Sequence, residues 1–411
     1  MFAAIASRRS SSERLLAGAF AAVCLLAGAA SLPAAEPGAV TFRKICLTNK
    51  FRAEGSGIGD FNRDGTMDVV YGPHWYAGPD YTTAHEIYPV EDFPPEKYSN
   101  NFITFVHDVN GDTWPDVLVN VWPGKEVAWF QNPGAAGGAW QRHLAFPKVD
   151  NESPGMADVT GDGKPELIFH TEGVLGFAGP SDPTGTGRWV FQGCSEPHKW
   201  GQYTHGLGAG DINGDGRIDL VMSEGWWEQP ADPKGLWTKH PDRFGKQGAQ
   251  IHVSDVDGDG DSDVIASIAA HGYGLSWFEQ VKKDGATSFV EHPILPVAPD
   301  ATLAGVQFSQ PHATEVADIN GDGLADIVTG KRYWAHGPKG DADPGGKPVL
   351  YWFELARKPA ADGTSPVTWT PRLIDDDSGV GTQFKTGDLN GDRKLDVVIG
   401  NKKGGFVFIQ N

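Results

Sequence analysis

Asp211-Ile212-Asn213-Gly214-Asp215-Gly216-Arg217-Ile218-Asp219-Leu220-Val221-Met222 is the stretch whose reading decides the fold. Oxygen-bearing side chains stand at positions 1, 3, 5 and 9 of this loop, and a glycine at position 6 permits a tight turn. Such a loop can wrap one hard cation, since Ca2+ takes about six to eight oxygen ligands. An EF-hand loop opens the same way but needs a bidentate acid at position 12. Position 12 here is Met222, inside the apolar run Asp219-Leu220-Val221-Met222. That run reads as a β-strand, so the loop joins two strands and not two helices.

The pattern recurs seven times, beginning at Asp60, Asp108, Asp158, Asp211, Asp255, Asp318 and Asp388, with spacings of 48, 50, 53, 44, 63 and 70 residues. None of the other residues at position 12 is acidic: Tyr71, Val119, Phe169, Ala266, Thr329 and Ile399. The expected ligand sets for structural Ca2+ are as follows. The first loop offers Asp60, Asn62, Asp64 and Asp68, and the second Asp108, Asn110, Asp112 and Asp116. The third offers Asp158, Asp162 and Glu166, with Thr160 at position 3. The fourth offers Asp211, Asn213, Asp215 and Asp219, the fifth Asp255, Asp257, Asp259 and Asp263, and the sixth Asp318, Asn320, Asp322 and Asp326. The seventh offers Asp388, Asn390, Asp392 and Asp396. Thr113 and Arg393 replace the glycine of the second and seventh loops, so these two and the third are expected to bind more weakly. Polar hairpin turns alone would explain Asp, Asn and Gly, but not the same four oxygen positions in repeat after repeat.

A period near 50 with strands on both sides of each loop predicts an all-β, seven-bladed β-propeller. In each blade strand A precedes the acidic loop and strand B follows it. Strand C is aromatic, as in Val127-Ala128-Trp129-Phe130, Leu275-Ser276-Trp277-Phe278 and Leu350-Tyr351-Trp352-Phe353. Strand D is a short run such as Trp140 to Leu144 or Trp369 to Ile374. The seventh blade has A, B and C but no D after Phe406-Val407-Phe408-Ile409, whereas Thr41 to Leu47 has the D pattern and precedes the first loop. The N-terminal strand is therefore expected to complete the last blade, closing one domain over residues 38–411 and leaving no long open edge.

These loops resemble the FG-GAP/VCBS repeat family, whose best-known members include the integrin α-subunit propeller. The Phe-Gly and Gly-Ala-Pro signatures are largely missing, which places the likeness nearer the VCBS branch. The resemblance implies a calcium-loop propeller over nearly all of the chain and says little about activity. A weaker resemblance links the frame to the propeller part of aldos-2-ulose dehydratase, and no catalytic residue is carried over from it.

Residues 1–35 read as an export signal: Arg8, Arg9 and Arg14 are followed by an apolar, small-residue run from Leu15 to Ala30. That run is too short and too rich in Ala and Gly for a membrane span. The expected product is exported, to periplasm, cell surface or medium, with no transmembrane segment after cleavage. Formal charge is −19, and the leader's three Arg and one Glu leave the rest near −21. Such a balance does not support a nucleic-acid partner. Cys46 and Cys194 remain after cleavage, and one disulfide or two free thiols both fit.

Propeller geometry puts the A–B loops on one face and the D–A and B–C loops around the mouth on the other. The second face should collect His205, Glu224, His271, His312, Lys331, Arg332 and Tyr333. His205 and His312 both lie six residues before their loop aspartate, hence at equivalent heights in blades four and six. Aromatic faces with Lys, Arg and Glu suit a carbohydrate or surface glycan, and Arg can pair with an acidic sugar. If the mouth is catalytic, a lyase or dehydratase fits: His, Lys or Tyr removes a proton beside a carbonyl, and Arg or one further divalent metal on the histidines holds the oxyanion. The alternatives are a protein-interaction module, as in integrins, and a cell-surface structural repeat. No G-x-S-x-G elbow, phosphate loop or HExxH occurs.

Overall fold

In the computed structural model, residues 40–411 are described apart from 284–285 and 359–365. The expected export segment lies outside the described residues. Each apolar run behind an acidic loop is a strand. In blade four, Leu207–Gly210 pairs antiparallel with Asp219–Met222, which pairs with Gly225–Glu228, which pairs with Thr238–Pro241. The same A-B-C-D order builds seven four-stranded sheets among the described residues. Phe42–Thr48 supplies strand D of the last blade, with Phe42 opposite Gln410 and Cys46 opposite Phe406. The ring thus closes by backbone hydrogen bonds, and the chain is an all-β, seven-bladed propeller. Among the described residues no helix is long and apolar enough to cross a membrane. Both cysteines are free, Cys46 exposed and Cys194 buried.

The core lies between neighbouring blades, as where Val328, Leu350 and Trp352 of blade six meet Val397, Ile399, Phe406 and Phe408 of blade seven. Cross-strand stacks recur at the rim. Trp75, Trp129, Trp226 and Trp277 on strands C lie flat against His85, His143, His240 and His292 on strands D, with ring centroids 4.0–4.4 Å apart.

The acid at position 9 holds each hairpin shut. Asp219 accepts the N–H of Ile212 at 3.0 Å and that of Gln229 at 2.8 Å. Asp68, Asp116, Asp263, Asp326 and Asp396 each bridge the loop's second residue and the end of strand C in the same way. Glu166 instead takes the Val159 and Thr160 amides and the Thr160 hydroxyl. The strand-C residue then reaches the preceding blade: Asn132 donates to Phe61 O, Gln229 to Val159 O, Gln280 to Ile212 O and Gln410 to Ile319 O. One buried carboxylate fixes the turn, and one amide stitches blade to blade.

Candidate functional site

Six residues before the loop aspartates, at the heads of strands A, stand Glu54, Phe102, Glu152, His205, Ala249, His312 and Thr382. Four of these seven positions meet on the axis at the end opposite the acidic loops. His205 Nε2 is 3.2 Å from His312 Nε2 and 3.1 Å from His271 Nε2. The Glu152 carboxylate lies 3.4 Å from His205 Nε2 and 3.2 Å from His312 Nε2. Arg332 closes the group from blade six. Its Nη1 donates to Glu152 at 2.9 Å and points at His312 Nε2 at 2.7 Å, while Nε donates to Glu54 at 2.9 Å.

The backbone explains how histidines from separate blades converge. Tyr203 and Gln310, each two residues ahead of a cluster histidine, sit in the left-handed region with φ of 68° and 58°. Non-glycine residues there are uncommon and concentrate at functional sites. The turn at Tyr203 aims its carbonyl at His205 Nδ1, 2.7 Å away. Gln310 donates its N–H to Gly272 O at 2.6 Å and accepts that of Arg332 at 2.9 Å, locking the His271 turn and Arg332 to the head of blade six.

Glu152, His205, His312 and Arg332 are buried, and His271, with 29% of its side chain exposed, is the member that solvent reaches. Burial pushes His205 down, and His312 further, with Arg332 beside it. Burial works against the Glu152 carboxylate, but His205, His312 and Arg332 hold it well below the usual range. Asp341, on the long connection 332–349, lies 3.4 Å from His271 Nδ1 and 2.7 Å from His336 Nδ1. Tyr98 and Tyr203 flank the cluster half-buried, their rings 6.5 Å apart, and Lys402 lies over Tyr98 at 5.2 Å.

Of the sequence candidates, His205, His271, His312 and Arg332 therefore meet. Three others do not. Lys331 is buried and bonds to Ser309 Oγ. Tyr333 stacks on Trp334 at 4.8 Å, under Lys403. Glu224 pairs with Lys239 at 2.9 Å and His198 at 3.0 Å, because strand C of blade four already begins at Gly225. His74–Tyr76 is likewise strand C of blade one. The recessed mouth is corrected too: the cluster plugs this end of the ring. A cavity of about 650 Å³ instead runs along the axis beneath it, lined by strand-A residues including His252, Glu315 and Lys385, and reaches Met67 and Asp388 at the acidic end.

Sequence reading missed Glu54, Glu152 and Asp341. The offset that singled out His205 and His312, applied to all seven repeats, lands on Glu54 and Glu152 as well.

The acidic loops offer oxygen donors throughout, which suits Ca2+. Asp255, Asp257 and Asp263 bring carboxylate oxygens within 4.8 Å of one another. In loop four, Asp211 accepts the N–H groups of Gly214, Asp215 and Gly216 and is held at the centre of its turn. The residues present fit a hard cation, with positions 1, 3, 5 and 9 as its holders.

The family model for the FG-GAP-like repeat matches residues 108–169 and 255–329. Among solved structures, the chain is similar to an Agrocybe aegerita lectin described as recognising non-reducing terminal N-acetylglucosamine, at 15% identity and a TM-score of 0.44, over 82% of this chain and 87% of that one. It is also similar to the rhamnogalacturonan lyase YesW, at 14% identity and a TM-score of 0.45, over 89% of this chain and 75% of that one. No curated protein matches.

Proposed function

We propose that this chain, which carries FG-GAP-like repeats, is an exported propeller that binds a carbohydrate at the histidine end of its axis and acts on it as a lyase or dehydratase. In this reading the acidic loops hold Ca2+ for structure alone. The observation that carries the proposal is the convergence of three imidazoles and Glu152 on one point, with half-buried Tyr98 and Tyr203 beside it. Sugars stack on such rings, and the imidazole and carboxylate edges beside them offer partners for sugar hydroxyls. His271 is the cluster member placed to meet the sugar, since solvent reaches it, while its Nε2 faces His205 and its Nδ1 faces Asp341. A group that holds the developing oxyanion, directly or through what it positions, supplies about 10²–10³-fold in rate. Arg332, being buried, acts by holding Glu152 and Glu54 in place.

The test is a panel of uronate oligosaccharides and keto-sugars, read by calorimetry for binding and by ultraviolet absorbance for a new conjugated double bond. Wild type should bind and turn over at least one, and His271→Ala should lose turnover about 100-fold or more while staying folded by circular dichroism. Unchanged turnover in His271→Ala would remove the site assignment.

A second reading, a non-catalytic interaction module, has one observation in its favour. Arg332, Lys331 and Lys402 are spent on Glu54, Ser309 and Ala335 O. Sugar binding without any chemical change in the same panel would select it.

A further inference from the structure

We propose that Glu152, His205, His271 and His312 form a mononuclear site for a first-row transition metal ion of the zinc type, separate in kind from the acidic loops. Zinc holds imidazole nitrogens at about 2.0–2.1 Å, so ligand atoms around a tetrahedral ion lie roughly 3.3 Å apart. The contacts His205–His312 at 3.2 Å and His205–His271 at 3.1 Å sit near that edge length, and Glu152 sets Oε2 3.4 Å from His205 and Oε1 3.2 Å from His312, so either oxygen can turn to the ion.

Hydrogen bonding among the histidines does not account for these distances. Tyr203 O can only accept, so His205 Nδ1 carries a proton and, in the neutral ring, Nε2 is a bare lone pair. Arg332 Nη1 can only donate, so His312 Nε2 is a lone pair as well. Two buried lone pairs therefore face each other at 3.2 Å, which is unfavourable unless a cation joins them. A second proton on His205 would serve one such contact. It would not serve His312, His271 and Glu152 together, as an ion does.

The surroundings agree. His205 Nδ1–H on a backbone carbonyl and His271 Nδ1 facing Asp341 are the outer contacts that orient metal-bound imidazoles. Charge agrees too: Glu54, Glu152 and Asp341 against Arg332 and Lys402 leave one negative charge, so a divalent ion plus one anionic ligand makes the centre neutral. Three imidazoles select zinc, iron, nickel or copper over Ca2+, which takes oxygen. With the ion bound, Arg332 Nη1 keeps its bond to Glu152 and gives up the contact with His312. The proposal stands whether or not the ligand is a sugar, because metal content is read with no sugar present.

The experiment uses tag-free, full-length protein, purified without chelator and analysed for its elements, then stripped and titrated with Zn2+ and Co2+. About one zinc-type ion per chain should be found in addition to calcium, and excess Ca2+ should not displace it. Co2+ should give a visible ligand-field spectrum, and Zn2+ should raise the melting temperature. His271→Ala, which changes the exposed ligand and spares the buried ones, should lose the spectrum and the ion. Asp341→Asn should weaken binding about 10–100-fold. A folded wild type that takes up no Zn2+ or Co2+, or one whose uptake and spectrum are the same in His271→Ala, would overturn the proposal.

Discussion

On the acidic face, every blade repeats one loop, and in six of the seven the buried acid at position 9 bridges the N–H groups of the loop's second residue and the end of strand C. On the opposite face, the seven equivalent positions hold Glu54, Phe102, Glu152, His205, Ala249, His312 and Thr382, no longer a repeat. A feature copied in every blade solves a problem that every blade has, which is closing a hairpin and joining a neighbour. A feature that differs from blade to blade cannot serve that purpose. It is free to assemble one asymmetric cluster on the axis, and that is where we propose that recognition and chemistry lie.

If that division is right, damage to the acidic face should cost stability, and damage to the histidine face should cost function. Removing Ca2+ should have the largest effect on stability. Ions bound only to the folded ring stabilise it by about 2.7 kcal/mol per site at a hundredfold excess over Kd, so a chelator should lower Tm by many degrees and added Ca2+ should restore it. Scanning calorimetry with metal analysis of the treated sample checks this, and an unchanged Tm in protein shown to be calcium-free would break the comparison. Next comes the clasp itself. Asp326→Ala orphans the buried N–H groups of Ile319 and Leu355, at about 1–3 kcal/mol each. Urea unfolding should show a loss of about 2–6 kcal/mol for the two together.

A smaller effect is expected from His170, at the far end of strand B in blade three. Both its ring nitrogens are buried without a partner, and burial pushes it down to about 4. The unfolded chain, with a pKa near 6.5, binds the proton first as pH falls, so stability is complete above about 6.5 and declines towards 4, by about 3 kcal/mol at most. His170→Phe should flatten that part of the stability–pH curve while leaving the acidic-loop contribution unchanged.

The sequence made the acidic face readable because its signal is local: nine residues carry the turn, the clasp and the cation donors, and repetition averages out chance. Ring closure was readable for the same reason, through a D-strand pattern missing at one end and present at the other. The histidine face was readable only in part. Arg332 meets Glu54 across 278 residues of chain, and nothing local to either announces it. Glu224 was misplaced because a two-residue turn closes the B–C hairpin of blade four and carries it outward to Lys239 and His198. Only blade six has the long connection, which brings Asp341 and His336 to His271.

The central claim is that ligands are received at the histidine end of the axis and not on the acidic face. A crystal of the calcium-loaded protein soaked with the tightest-binding oligosaccharide tests it most directly. Sugar density against His271 and over the Tyr98–Tyr203 pair is the predicted result. Sugar held by the loops around Asp211 or Asp255, with the His271 end unchanged, would contradict the account.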